Sequence, residues 1–430
     1  MSQKLSLTPS RLIIFQVYYN IIVKFLITDL GLPSVLNYIS DVITIVLVCK
    51  FFSSKRGLKI QELRIIKGLC ILYYCIFILL SFAESVTPIL VAWSLRNNLR
   101  FIFWIFIVSR FLKQKEIDDL FSSLNSLIFI NLIVMGIQYI LLGLRDDRLN
   151  GLFGSYIGGN SAVNTFAVIL TCENIAAYLT KRRKITRTII NIMALCITCA
   201  LNELKYYFLE LVIIVLLFVV NEVKCNGNVK AFQRVIKILI GGAFLSIVGC
   251  YVLLHFYPGF SSFIKKEVFM DYLTRSYNSS DLIYVNGIPI SNRFTIYGTI
   301  VKYFLTSPFK IIFGNGLGSA EYNAFFESVF WDKYQLIGTN NYCFSHIFLE
   351  TGILGCCIYL LMFMITIKAS WKESANKPIR YYCLISLGCA VMGILMNFYN
   401  SALKIESSGY MFFLGFSLAY CRYLLKSHTR

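Results

Sequence analysis

The sequence predicts an all-α polytopic membrane protein of about twelve transmembrane helices, with one large extracytoplasmic loop that contains an amphipathic helix. Three observations predict it. Of the 430 residues, 57% are hydrophobic and 15% charged, with a mean hydropathy of +0.68, well above the roughly 45 to 50% apolar content usual for soluble domains. Apolar runs of about 18 to 25 residues recur along the chain, each long enough to cross a hydrocarbon core roughly 30 Å thick. Basic residues alternate between successive connections, as the positive-inside rule requires.

The expected spans, in order, are 11 to 28, 34 to 51, 65 to 82, 93 to 112, 120 to 142, 161 to 180, 186 to 203, 205 to 221, 235 to 256, 343 to 367, 380 to 399 and 408 to 425. The first follows a short polar leader with no small-residue cleavage site, so it is expected to be a retained helix. Connections 50 to 67, 110 to 115, 181 to 187, 222 to 237 and 368 to 380, with the two ends, hold 27 of the 41 Lys and Arg. The intervening connections near 29, 83 to 92, 200 to 205 and 400 to 407 carry almost none. Both termini are then expected in the cytoplasm. The net charge of +19 reads as topology and attraction to lipid headgroups, not as a nucleic-acid footprint.

The whole chain reads as a single integral membrane domain, 1 to 430, with the segment 257 to 342 inserted between the ninth and tenth spans. A loop of that length is usually functional. Within it, "NRFTIYGTIVKYFLTSPF" places Phe294, Tyr297, Val301 and Phe304 at spacings of three and four, which predicts an amphipathic helix ended by Pro308. The following "FGNGLGS", with Gly314, Gly316 and Gly318, lacks the Lys-Ser/Thr and the βαβ setting of a nucleotide-phosphate loop, and is expected to be a tight turn. Aromatic residues of the loop, Tyr272, Tyr277, Tyr284, Trp331 and Tyr334, suit sugar stacking and equally an interfacial belt.

Fourteen cysteines fall almost entirely inside spans or on the basic side, so no disulfide framework is expected. Cys196 and Cys199 form a C-x-x-C within an apolar span, where helix packing is the expected role. Three histidines, His255, His346 and His428, are too few and too scattered for a zinc site. The sole adjacent acidic pair of the outer loops is "RDDR". No metal and no cofactor are therefore expected.

Charges at membrane depth are costly and point to function. Arg96 and Arg100 in "WSLRNNLRFIFW" are four apart on one helix face, where snorkelling to headgroups is the competing explanation. "LNELKYYFLE" brings Glu203 and Lys205 into a turn and Glu210 deeper, where an ion pair with a neighbouring arginine competes with a catalytic duty. "RDDRLNGLFGSYIGGN" adds Arg145, Arg148 and Asn160, Arg293 opens the amphipathic segment, and His346 and Glu350 share a face in "NNYCFSHIFLETGILG". All lie at the level predicted to be outer. Arginine forks there match the oxygens of a lipid-linked pyrophosphate, and a histidine suits the orientation or deprotonation of a sugar hydroxyl. Glu350 either fixes the imidazole tautomer or pairs with an arginine, and Gly352 and Gly355 are expected to admit a neighbouring helix.

The stretches "RLNGLFGSYIGGNSA", "LNELKYYFLE", "NRFTIYGTIVKYFLTSPFKIIFGNGLGS" and "SHIFLETGILG" resemble, in order and spacing, the O-antigen polymerase and ligase superfamily (Wzy-type polysaccharide polymerases and relatives). The resemblance covers roughly residues 90 to 367. Ile347 stands where an asparagine is commoner, and Lys205 where many relatives have Ser-Arg. The resemblance implies a glycosyltransferase C type fold in the bacterial cytoplasmic (inner) membrane. It implies donor and acceptor oligosaccharides on undecaprenyl pyrophosphate, with a chain-length regulator and a flippase as further partners. It implies Arg293 with Arg100 or Lys205 as the diphosphate clamp, Arg96 and Arg148 as further glycan or phosphate contacts, and His346 with Glu350 as the catalytic pair. A polymerase is the preferred activity; an O-antigen ligase and, from another class, a lipid-linked oligosaccharide flippase stay open.

Overall fold

The computed structural model describes residues 8–54, 60–225, 284–323 and 325–421, with scattered positions between 233 and 255. It is an all-α membrane protein. Among the described residues seven helices are long and apolar enough to cross a membrane, among them Pro9–Thr28, Ser34–Ser53 and Gln61–Ala83. The expected ninth span, Tyr272 and Tyr277 of the large loop, and His428 near the C-terminus lie largely or wholly outside the described residues.

The bundle is built from α1 (Pro9–Thr28), α2 (Ile39–Ser53), α3 (Gln61–Ala83), α4 (Pro88–Phe111), α5 (Gln114–Leu141), α6 (Asn160–Leu179), α7 (Ile185–Leu201) and α8 (Lys205–Cys225). The loop segment contributes a short hairpin, β1 (Tyr284–Val285) with β2 (Ile288–Pro289), then α9 (Ile296–Tyr303), α10 (Pro308–Phe313) and α11 (Val329–Tyr334). The chain returns through α12 (Cys343–Glu373), α13 (Arg380–Tyr399) and α14 (Glu406–Ser417).

The centre is α6, α13 and α14, which are buried nearly all round. Their sequences explain this: Ala, Ser, Thr, Gly and Cys on every face leave no polar stripe and allow close approach of neighbours. The described part of the span expected at 408 to 425 is a twelve-residue helix followed by a 3-10 turn, Leu418–Cys421, enclosed by α1, α4, α6 and α13, and residues 422 to 425 lie outside the described residues. Buried polar side chains join helices across the core. Gln16 Nε2 donates to Thr44 Oγ1 at 2.7 Å, Thr44 meets the Tyr410 hydroxyl at 2.7 Å, and Trp104 Nε1 donates to the Tyr410 carbonyl at 2.8 Å. Such interhelical bonds contribute about 0.6 to 2 kcal/mol each.

The two ends of the bundle differ. At one end the basic connections are tied down: Arg110 to Ser54, Arg182 to Asp118, Arg183 to Glu173 and Arg380 to Glu222. At the other end the sparsely basic turns meet the loop segment, with Ser155 on Asp29 and Lys310 on Glu84. The alternation along the chain is thus a segregation in space.

Two local expectations are corrected. The amphipathic helix stops at Tyr303, and Pro308 opens α10 with Ser307 as its cap, its hydroxyl accepting from Lys310 N at 3.2 Å. Proline has no N–H to lose in a first turn, so it starts this helix and does not end the last one. The buried stripe of α9 is Ile296, Thr299 and Ile300, whereas Phe294 and Val301 point outward, 54% and 37% exposed. Both faces carry apolar residues: Tyr297 and Phe304 of the expected stripe do pack against the core formed by Ile296 and Ile300, and the other two do not.

Candidate functional site

The loop after α10 carries positive φ at Gly314, Gly316 and Gly318, +78°, +88° and +85°. The turn lets the loop lie backbone to backbone on α12: Asn315 N donates to the Leu349 carbonyl at 3.1 Å and Gly316 N to the Glu350 carbonyl at 2.9 Å. Those carbonyls face the loop because α12 breaks at Gly352 (φ 61°, ψ −163°), which interrupts the helical ladder that would engage them. A Cβ at Gly352 would strike the backbone of Ile312 and Gly314. Both glycines admit a neighbouring helix: the end of α10 and the glycine loop lie on Gly352, and Phe77 of α3 lies against Gly355.

The same loop cradles a protein carboxylate. Gly318 N and Ala320 N donate to Glu350 Oε1 at 2.9 and 3.3 Å, and Ser94 Oγ donates to Oε2 at 3.1 Å. Glu321, the next residue of the loop, accepts from Asn97 Nδ2 at 3.0 Å and has Lys404 Nζ 3.5 Å away. Burial would raise its carboxyl, but Lys404, then His346, outweigh burial and hold it at about 2.

His346 sits between the two carboxylates, 2% exposed. Its Nδ1 bonds Asn340 Oδ1, and Asn340 Nδ2 donates to the Ala320 carbonyl at 3.3 Å. With the amide so oriented, Oδ1 faces the ring and Nδ1 must carry the proton. Asn340 therefore sets the tautomer, a role the sequence suggested for Glu350. Nε2 points at Glu321 Oε1, 3.3 Å away, and Glu350 Oε2, 3.5 Å away. Neither Nε2 nor Glu321 Oε1 makes a well-formed hydrogen bond. A lone pair facing two carboxylates is repelled, so the gap calls for positive charge: a proton on Nε2 or a bound cation. The three groups bring their ligand-type atoms within 4.8 Å of one another, a cluster the sequence did not anticipate.

The cations singled out from sequence separate into two sets. Arg100 is buried and paired with Glu406; Arg96 is paired with Asp41 and stacked on Trp93 at 4.3 Å; Lys205 holds Glu203 at 2.7 Å. Arg148 is exposed in a 3-10 turn, Asp146–Arg148, and Arg145 lies over the Tyr139 ring at 4.8 Å. Asn160 donates to Asp147 Oδ1 at 2.5 Å. Arg293 differs: its guanidinium lies 3.9 Å from the Tyr399 ring centroid, its Nε makes no hydrogen bond, and no carboxylate lies within ion-pair distance among the described residues. Tyr399 in turn stacks on Tyr206 at 3.8 Å. The neighbouring Asn400 carbonyl accepts from Cys343 N at 3.0 Å, at the start of the helix that bears His346. Glu210 is fully buried beside Asn164, with neither oxygen in a well-formed hydrogen bond. Of the two roles left open for it, the ion pair with a neighbouring arginine is not formed among the described residues.

Below the His346 turn an apolar pocket opens between α3, α4, α12 and α14, lined by Tyr73, Ile105, Met362 and Phe413, with Asn98 and Lys404 at its polar end. The sequence missed Glu321, Asn340, Ser94, Asn97 and Lys404. Ser94, Asn97 and Asn98 gave a signal, as polar residues in an otherwise apolar helix; Glu321 and Lys404 lie in loops where charge is ordinary. Tyr322 and Trp331 stack at 3.5 Å beside the cluster's loop. No protein-family model matches the sequence, and no curated protein aligns with it significantly.

Proposed function

We propose that the protein is a polysaccharide polymerase of the bacterial cytoplasmic membrane, which moves a growing glycan from undecaprenyl pyrophosphate onto the next lipid-linked repeat unit. The observation that carries this reading is Arg293: among the described residues it is the one member of the expected Arg293, Arg100 and Lys205 clamp that no carboxylate neutralises, and it lies at the same end of an apolar bundle as a buried His–Glu centre. An unpaired guanidinium stacked on an aromatic ring keeps its bidentate fork for phosphate oxygens.

In this reading the chain spans the membrane about twelve times in a glycosyltransferase C-like arrangement, with both termini cytoplasmic and the His346 end facing outward. The polyprenyl tail lies in the apolar cavity, and the diphosphate lies between Lys404 and Arg293. The acceptor hydroxyl attacks the anomeric carbon and gives its proton to the Glu321–His346–Glu350 centre. The bond from that carbon to the diphosphate oxygen breaks, and the two cations stabilise the charge left on the departing group. His346 is the proton acceptor through Nε2, the ring atom left without a hydrogen bond, and Glu321 and Glu350 beside it stabilise the imidazolium that forms.

Deletion of the gene, read out by gel electrophoresis of the surface glycan, tests this. Single repeat units are expected. Full ladders left unattached to their acceptor would assign the protein as a ligase, and loss of all surface repeats would assign it as a flippase.

A further inference from the structure

We propose that Glu321, His346 and Glu350 form a binding site for one first-row divalent cation of the Mn²⁺ or Zn²⁺ class. The proposal rests on the polymerase reading for the ion's role, but not for its binding. Three donors of suitable type, one imidazole nitrogen and two carboxylate oxygens, converge within 4.8 Å in a buried space. An imidazole with two carboxylates suits Mn²⁺, Fe²⁺ or Zn²⁺ better than Ca²⁺, which takes six to eight oxygens.

The second observation is the state of the atoms that face the gap. Nε2 of His346 and Oε1 of Glu321 are buried and lack hydrogen-bond partners, which is expensive unless something positive sits between them. Each donor is also held from behind. His346 gives its Nδ1 proton to Asn340, Glu321 is fixed by Asn97, and Glu350 is fixed by Ser94 and two loop amides. Outer hydrogen bonds of this kind orient metal ligands and fix the histidine tautomer that frees Nε2.

Charge balance gives the ion a purpose. With a proton on Nε2, two carboxylates, one imidazolium and Lys404 leave the centre neutral. With a dication and a neutral imidazole the centre carries one net positive charge, with Lys404 on its cavity side. Such a centre would attract a lipid diphosphate headgroup, and with Nε2 held by the ion the proton of the attacking hydroxyl would pass to an oxygen of the departing diphosphate in place of the imidazole.

The test uses the full chain purified into nanodiscs, stripped with EDTA and titrated with Mn²⁺ alone and Zn²⁺ alone by calorimetry. Bound Mn²⁺ is then probed by pulsed electron paramagnetic resonance. One ion per chain is expected, with nitrogen modulation from one directly coordinated imidazole. The signal should persist in His255→Gln and His428→Gln, since the chain has three histidines. Glu321→Gln and Glu350→Gln should each weaken binding at least tenfold, with Glu84→Gln, which pairs with Lys310, as an unaffected control. Absence of saturable uptake, or saturable Mn²⁺ without nitrogen coupling in the unmodified protein, overturns the proposal and leaves a shared proton in the gap. A bound ion in a protein whose deletion leaves polymer unchanged would overturn the polymerase reading and leave the site standing.

Discussion

The ammonium of Lys404, in the turn between α13 and α14, stands 3.5 Å from Oε1 of Glu321, in the loop that follows the three glycines. It is the largest influence opposing burial at that carboxylate, which is held at about 2 against an ordinary 4.5. The folded value lies below the unfolded one. The stabilisation is therefore fully present above about pH 4.5 and is lost as pH falls toward 2. The melting temperature of the detergent-solubilised protein should exceed that of Glu321→Gln by a margin that shrinks across that window. In Lys404→Met the folded value moves back toward the unfolded one, so the shrinkage should be smaller and should end at higher pH. A margin independent of pH would remove the coupling.

Arg293→Ala should lower chain extension by roughly a hundredfold, as expected for the loss of a group that stabilises developing charge. Membrane abundance should not change, because no carboxylate among the described residues depends on Arg293 for neutralisation. Arg293→Lys should also fail, since a point charge does not replace the fork. Glycan ladders and immunoblots of membranes measure both; wild-type ladders in either variant would remove Arg293 from the clamp.

Arg100 should behave in the opposite way. Its guanidinium is buried against Glu406, which also has Arg96 at 3.5 Å, so Arg100→Met removes the closer of two cations and should cost about 1 to 3 kcal/mol of stability. Adding Glu406→Leu should recover most of that loss. Thermal melting of the two variants distinguishes this structural pair from a substrate clamp: a stable, inactive Arg100→Met would favour the clamp.

Asn340 is a positioning residue for His346. Asn340→Leu should reduce extension by about 10- to 100-fold while leaving melting within a few degrees of wild type. The pH dependence of the rate should shift, because the ring loses the acceptor that fixes its tautomer. Asn340→Asp keeps an acceptor oxygen and should retain more activity. An unchanged pH profile in Asn340→Leu would reduce the contact to packing.

How far the sequence carries can be traced through single residues. Helix positions follow from apolar run length because each backbone polar group in lipid must be satisfied within its own helix. The His346–Glu350 proximity follows from four-residue spacing. Glu321 and Lys404 were out of reach because their convergence depends on how the loop folds back onto α12, which no periodicity encodes. Arg100 and Arg293 look alike in sequence; only the position of Glu406 separates them. The outward turn of Phe294 and Val301 was hidden because α9 carries apolar residues on two faces.

The break at Gly352 also relocates a boundary for anyone building hybrid proteins. Hydropathy marks the join between loop and span at residue 343, but residues 343 to 351 are bonded to the glycine loop and carry both His346 and Glu350. A chimera that exchanges only the loop up to residue 342 would separate Glu321 and Asn340 from the histidine they face. One that cuts at Gly352 would transplant those donors as a cassette, needing only a matching Ser94, Asn97 and Lys404 in the host bundle.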